Sequence, residues 1–174
     1  MKKLRIIIPG FTICIAFMVA IMSMGAKNKK VADAETLLAA TTLDAATTLY
    51  GATVILPDNI YAVIFILDVT DANSAVGDKL DIYVQTKLDN ANWLDVYHFT
   101  QCDGNGGAKR YIGKIEITTA VTEFEAAAAL GESTGRDLIG DYWRVKYVGT
   151  ETDAISYNFS VTALPIGHFG RGWK

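Results

Sequence analysis

Polar and apolar residues alternate along most of the chain from Thr36 to Leu164, in short runs broken by Gly, Asp and Asn. The clearest run is Ile155–Thr162. Ile155, Tyr157, Phe159 and Val161 fall on one side of an extended backbone, and Ser156, Asn158, Ser160 and Thr162 on the other. A period of two marks a strand with one face in a core. Over Leu80–Leu88 the same alternation sets Leu80, Ile82 and Val84 against Asp81, Tyr83 and Gln85. Over Trp93–Thr100 it sets Leu94, Val96 and His98 against Trp93, Asp95, Tyr97 and Phe99. The Asp89–Asn92 turn joins these two into a predicted hairpin. Ile60–Thr70 is nearly continuous in apolar, largely β-branched residues, which predicts a central strand covered on both faces. Thr47–Leu56, stopped by the Pro57-Asp58-Asn59 turn, and Lys109–Thr118 read as further strands. Asp141–Val148 and Ile155–Leu164, linked through Gly149–Asp153, read as a closing hairpin, with Pro165 ending the sheet.

Two stretches depart from the pattern. Ala32–Ala40 has the composition of a short helix, but the Thr pairs after it favour extended chain. Glu123–Leu130 has strong helix propensity and ends at Gly131, which predicts a helical turn or two between strands. About seven or eight strands without a repeat of fixed period predict an all-β, antiparallel two-sheet sandwich, immunoglobulin-like or jelly-roll. The expected organisation is a hydrophobic N-terminal segment over residues 1–30, a connector over 31–46, the β-sandwich over 47–165 and a tail over 166–174.

The N-terminal segment changes the picture most. Residues 6–26 carry no charge and lie between Met1-Lys2-Lys3-Leu4-Arg5 and Lys27-Asn28-Lys29-Lys30. The run is long enough to cross a bilayer as a helix. It reads as an export signal with a mediocre cleavage site at Ser23-Met24-Gly25, as a retained membrane anchor, as a hydrophobic arm buried in an assembly, or as sequence upstream of a true start at Met22 or Met24. The net charge of −3 and pI near 5.3 speak against a nucleic-acid partner, which calls for a basic face. Cys14 lies in the apolar run and Cys102 in a loop, a placement that argues against a mutual disulfide.

Little of the chain points to chemistry. His98 and His168 are the two histidines, and neither has Cys, His or Asp at ligand spacing, so no metal is expected. Asp103-Gly-Asn-Gly-Gly107 resembles part of a calcium loop but has no downstream Glu in register. The carboxylate groups Asp78/Asp81, Glu116/Glu123/Glu125 and Asp137/Asp141 are each accounted for by strand edges and loops. Nucleophile elbow, phosphate loop and dinucleotide fingerprint are absent, so neither catalysis nor a cofactor is expected. Tyr83, Trp93, Tyr97, Tyr142, Tyr147 and Tyr157 form either a sugar-stacking platform or, as aromatics more often do, core and interface. On the tail, Phe169 and Trp173 are candidate docking contacts, as are Phe11 and Phe17 in the apolar run.

Two segments carry a family resemblance. Leu80-Asp-Ile-Tyr-Val-Gln-Thr-Lys-Leu-Asp-Asn-Ala-Asn-Trp-Leu-Asp-Val-Tyr-His-Phe-Thr-Gln101 resembles a hairpin of small β-sandwich virion proteins of tailed phages. Tyr142–Thr150, followed by Ser156–Ala163, is similar to their closing hairpin. The resemblance implies a non-enzymatic decoration or minor head-associated protein that packs on the capsid shell or on copies of itself, located in the virion. The apolar N-terminus departs from that family. It supports the alternative of a membrane-anchored or secreted bacterial envelope module that binds glycans.

Overall fold

The computed structural model describes residues 30–73, 75–89, 91–117, 128–150 and 156–167. Twelve strands are present among them: β1 (Lys30–Val31), β2 (Glu35–Leu43), β3 (Thr48–Tyr50), β4 (Val54–Ile55), β5 (Ile60–Ala72), β6 (Lys79–Lys87), β7 (Trp93–His98), β8 (Cys102–Asp103), β9 (Lys109–Glu116), β10 (Thr134–Gly135), β11 (Tyr142–Thr150) and β12 (Tyr157–Gly167). They build two antiparallel sheets packed face to face, an all-β sandwich. The first sheet runs β1-β12-β5-β9 with β2 also on β12; the second runs β10-β7-β6-β11-β3, with β4 on β11 and β8 on β6.

Reduced to its long strands, this order is β2-β12-β5-β9 facing β3/β4-β11-β6-β7. Successive strands mostly cross between sheets, which is the jelly-roll arrangement and not the immunoglobulin one. The crossing corrects the expected closing hairpin. β11 lies between β6 and β3/β4, whereas β12 lies between β5 and β1/β2, in the opposite sheet. Only the β6–β7 hairpin follows the sequence expectation directly. Periodicity finds strands but cannot choose their partners.

Between the sheets, Phe65, Leu67, Ile82, Val84, Ile115, Trp143, Val145, Tyr157, Phe159 and Val161 are almost wholly buried. Trp143 places its ring 5.8 Å from Phe65 and satisfies its indole N–H on the Gly140 carbonyl at 2.8 Å. Gly140 must be glycine at that crossing, because a Cβ there would sit 1.9 Å from the Lys87 carbonyl oxygen.

Three local expectations are revised, and a fourth falls mostly outside the described residues. The stretch taken as a connector contains β2, which pairs with β12 through two register shifts. Pro165 does not end the sheet: β12 continues to Gly167. The Pro165 carbonyl accepts the Ala32 N–H at 2.9 Å, so the nitrogen without a proton faces the gap between β1 and β2, where no donor is required. β5 is covered on one face only. Among the described residues, no further layer lies over its outward Ile64 and Ile66, which stay half-buried, with Ile66 paired to exposed Ile112 of β9. Of the helix expected over Glu123–Leu130, residues 123–127 lie outside the described residues and 128–130 are irregular.

Candidate functional site

Four of the described candidates, Asp81, Tyr83, Trp93 and His98, gather on the outer face of the second sheet. A register shift between β6 and β7 brings His98 there. Tyr83 pairs with His98 and Val84 with Tyr97, but Gln85 pairs with Asp95, leaving Val96 as the extra residue of a bulge. Simple alternation placed His98 with Leu94 and Val96. The bulge instead moves His98 to the side of Trp93 and Asp95, and turns Tyr97 inward against Phe65 and Phe99.

On that outer face polar side chains are tied to one another across four strands. Asp95 accepts from Gln85 Nε2 at 2.7 Å and from Lys146 Nζ at 2.6 Å. Gln85 in turn accepts from Arg144 Nε at 2.7 Å. The Arg144 guanidinium lies 4.2 Å from the ring centroids of both Tyr50 and Trp93, and Lys146 Nζ lies 3.9 Å from that of Tyr83. Burial lowers the Arg144 pKa below its ordinary value, against the opposing pull of Tyr50 and Asp95, yet arginine stays charged. The rings proposed as a sugar platform are thus divided. Tyr147 and Tyr157 are core, Tyr97 faces inward, and Trp93 and Tyr83 stand against cations.

His98 is 5% exposed and stacks on Tyr83 with centroids 4.0 Å apart. Its Nε2 lies 3.1 Å from Asp81 Oδ1 and its Nδ1 2.9 Å from the Leu130 carbonyl oxygen. Gln101 Nε2 donates to both Asp81 oxygens, at 3.0 and 2.9 Å. A histidine acting as general base must offer a lone pair to a reacting proton. Here both ring nitrogens are engaged by protein, so the His98–Asp81 pair is built for holding.

The remaining candidates are dispersed. Asp78 is fully buried and accepts the Ala75 N–H at 2.9 Å, which fixes a turn. Asp103 is exposed and faces Lys79 at 3.5 Å. Glu116 pairs with Lys114 on β9. Cys102 is buried and free, and burial pushes its thiol up to about 11. Among the described residues, no three of His, Cys, Asp and Glu converge as metal ligands. His168, Cys14, Glu123, Glu125 and the docking contacts Phe11, Phe17, Phe169 and Trp173 lie outside the described residues. Sequence reasoning missed Arg144, Lys146, Gln85 and Asp95. The signal for Gln85, Arg144 and Lys146 was the alternation of polar residues along β6 and β11; that for Asp95 was its place beside Trp93 and Tyr97 in β7.

No protein-family model matches the chain, and no curated protein does. Among solved structures, a chain from the structure of infectious bursal disease virus, Gx strain, aligns over 84% of this chain with a TM-score of 0.50. The fold has a viral counterpart. At 12% sequence identity the likeness is one of fold, and this chain spans about a third (34%) of the length of that chain.

Proposed function

We propose that the chain is a non-enzymatic structural protein of a virus particle, packing on the capsid shell or on copies of itself. The observation that carries this reading is the jelly-roll strand order, an architecture common in viral shells, together with the likeness to a chain of infectious bursal disease virus. The outer face of the second sheet supports it, since its charged groups neutralise one another and His98 has no free nitrogen. Placement as a tailed-phage decoration or minor head-associated protein rests on the resemblance of Leu80–Gln101 and of Tyr142–Thr150 with Ser156–Ala163, the second pair lying in opposite sheets here. Docking would use Phe169 and Trp173 of the tail and Phe11 and Phe17 of the apolar run, each contact weak and multiplied by copy number. The test is to purify particles from cells that carry the gene and quantify the chain in them by mass spectrometry. Fixed copy number per particle is expected. Absence from particles, or hydrolysis of a polymer by the purified chain, ends the proposal.

The uncharged run at residues 6–26 favours a second reading, a membrane-anchored or secreted envelope module. N-terminal sequencing of the native protein separates the two. Cleavage after Gly25 or Ala26 supports secretion, and a start at Met22 or Met24 removes the membrane case.

A further inference from the structure

The two groups that face the ring nitrogens of His98 are both acceptors. A backbone carbonyl has no proton to give, and Asp81, held ionised by two bonds from Gln101, has none either. Neutral histidine carries one N–H and can satisfy only one of them. The imidazolium carries two and satisfies both. One of these bonds stays within the sheet, to β6. The other reaches the segment at residues 128–135, which lies along the sheet edge and is joined to it by only two paired residues, Thr134 with His98 and Gly135 with Tyr97.

We propose that His98 is a proton-dependent fastener: as an imidazolium it ties the Leu130 carbonyl to Asp81 across the edge of the second sheet, and on losing a proton it loosens the 128–135 segment. The surroundings favour the cation. Asp81 and Tyr83 face it from β6, Glu132 approaches from the segment itself, where its carboxylate accepts the Gln101 N–H at 3.0 Å, and Lys146 of β11 stands off on the Tyr83 ring. Lys79 of β6, whose charge acts on Asp81, opposes the cation. Burial pulls the His98 pKa down, but the bonds to Asp81 and Leu130 and the charges of Asp81 and Glu132 outweigh it, leaving the value raised. With a raised folded value, the tie is complete below the ordinary histidine pKa and is lost as pH rises through the folded one. The segment keeps other anchors, since the Gln101 N–H donates to Glu132, the Thr100 and Ser133 hydroxyls bond at 2.5 Å and the Arg136 guanidinium donates to the Ala128 carbonyl at 2.7 Å. The Arg136 N–H on Val96 at 2.8 Å, where the segment rejoins the sheet, reports the loosening. Deprotonation therefore loosens the edge without unfolding the sandwich. The inference stands independently of the virion reading.

The experiment needs no variant to begin. In the full chain, nitrogen NMR of the His98 ring followed from pH 5 to 9 is expected to show both nitrogens protonated at pH 6 and a midpoint above 6.5. Over the same range, hydrogen-exchange protection factors, corrected for intrinsic rate, should fall by about tenfold at Arg136 while β5 stays unchanged, the loss of one charge-assisted bond. His98→Gln, which keeps the size but does not titrate, should remove that pH dependence. A neutral His98 at pH 6, or an imidazole that titrates without any change at Arg136, overturns the proposal.

Discussion

Gly113 of β9 offers the sharpest test of how the sandwich packs. It pairs with Phe65, and its missing side chain would point into the core at the ring of Tyr97. A Cβ at this position would lie 2.2 Å from Cζ, 2.4 Å from Cε1 and 2.5 Å from Oη of Tyr97. Retreat of the ring is limited by Phe65 and Phe99, whose centroids stand 5.9 and 5.0 Å away. Propensity alone makes Gly113→Ala stabilising by about 0.5–1 kcal/mol, since glycine loses the most freedom on entering a strand. Overpacking a filled core costs about 1–3 kcal/mol. The net effect expected is a loss of about 0.5–2 kcal/mol, and at roughly 2–4 °C per kcal/mol for a chain of this size the midpoint falls by a few degrees. Urea and thermal unfolding of Gly113→Ala measure it. In a Tyr97→Leu background the shorter side chain clears the site, and the same substitution should become neutral or stabilising. If Gly113→Ala alone is as stable as the parent, or if the sign does not change with Tyr97→Leu, the inward placement of Tyr97 is wrong.

Further outcomes follow from the polar face and the buried thiol. Asp95→Ala leaves Gln85 and Lys146 without their acceptor in a largely covered site and should cost about 1–2 kcal/mol in urea unfolding. Asp103→Ala, which removes only an exposed partner of Lys79, should cost close to nothing. Burial offsets part of it, but bonds from His98 and Gln101 and the charges of His98 and Lys79 hold the Asp81 pKa below its ordinary value. The stability it supplies is therefore whole above about pH 4 and lost as pH falls through the lower folded value, and Asp81→Asn should flatten that acid limb of the unfolding profile. With its thiol near 11, Cys102 is almost entirely protonated at pH 8, so peptide mapping should find it unalkylated in the native chain and labelled after urea.

Residues whose environment is set by their own strand were legible in the sequence. The run Tyr61–Leu67 read as a strand because it is short, continuously apolar and rich in β-branched residues, and the β6–β7 hairpin because a short Asp/Asn turn fixes who pairs with whom. Residues whose environment is set by another strand were not. β2 reads Glu-Thr-Leu-Leu-Ala-Ala-Thr-Thr-Leu, with adjacent leucines and adjacent alanines, because two irregularities in its pairing with β12 reset which side faces inward. At β7, inserting Val96 exchanged the faces of Tyr97 and His98, and with them the position of the candidate site. β11 and β12 each alternate cleanly, yet they lie in opposite sheets. Pro165 looked like a terminator because proline lacks a donor; only the path of Ala32 beside it reveals that none was wanted.

The pairing of Lys30 with Gly167 at the end of β12 sets a geometric condition on everything attached to the sandwich. The polypeptide enters and departs at one pole, side by side. A tether drawn from the first strand and a tether drawn from the last pull on the same spot, so together they fix where the domain hangs while leaving its opposite pole, and the broad faces of both sheets, turned toward whatever surrounds it.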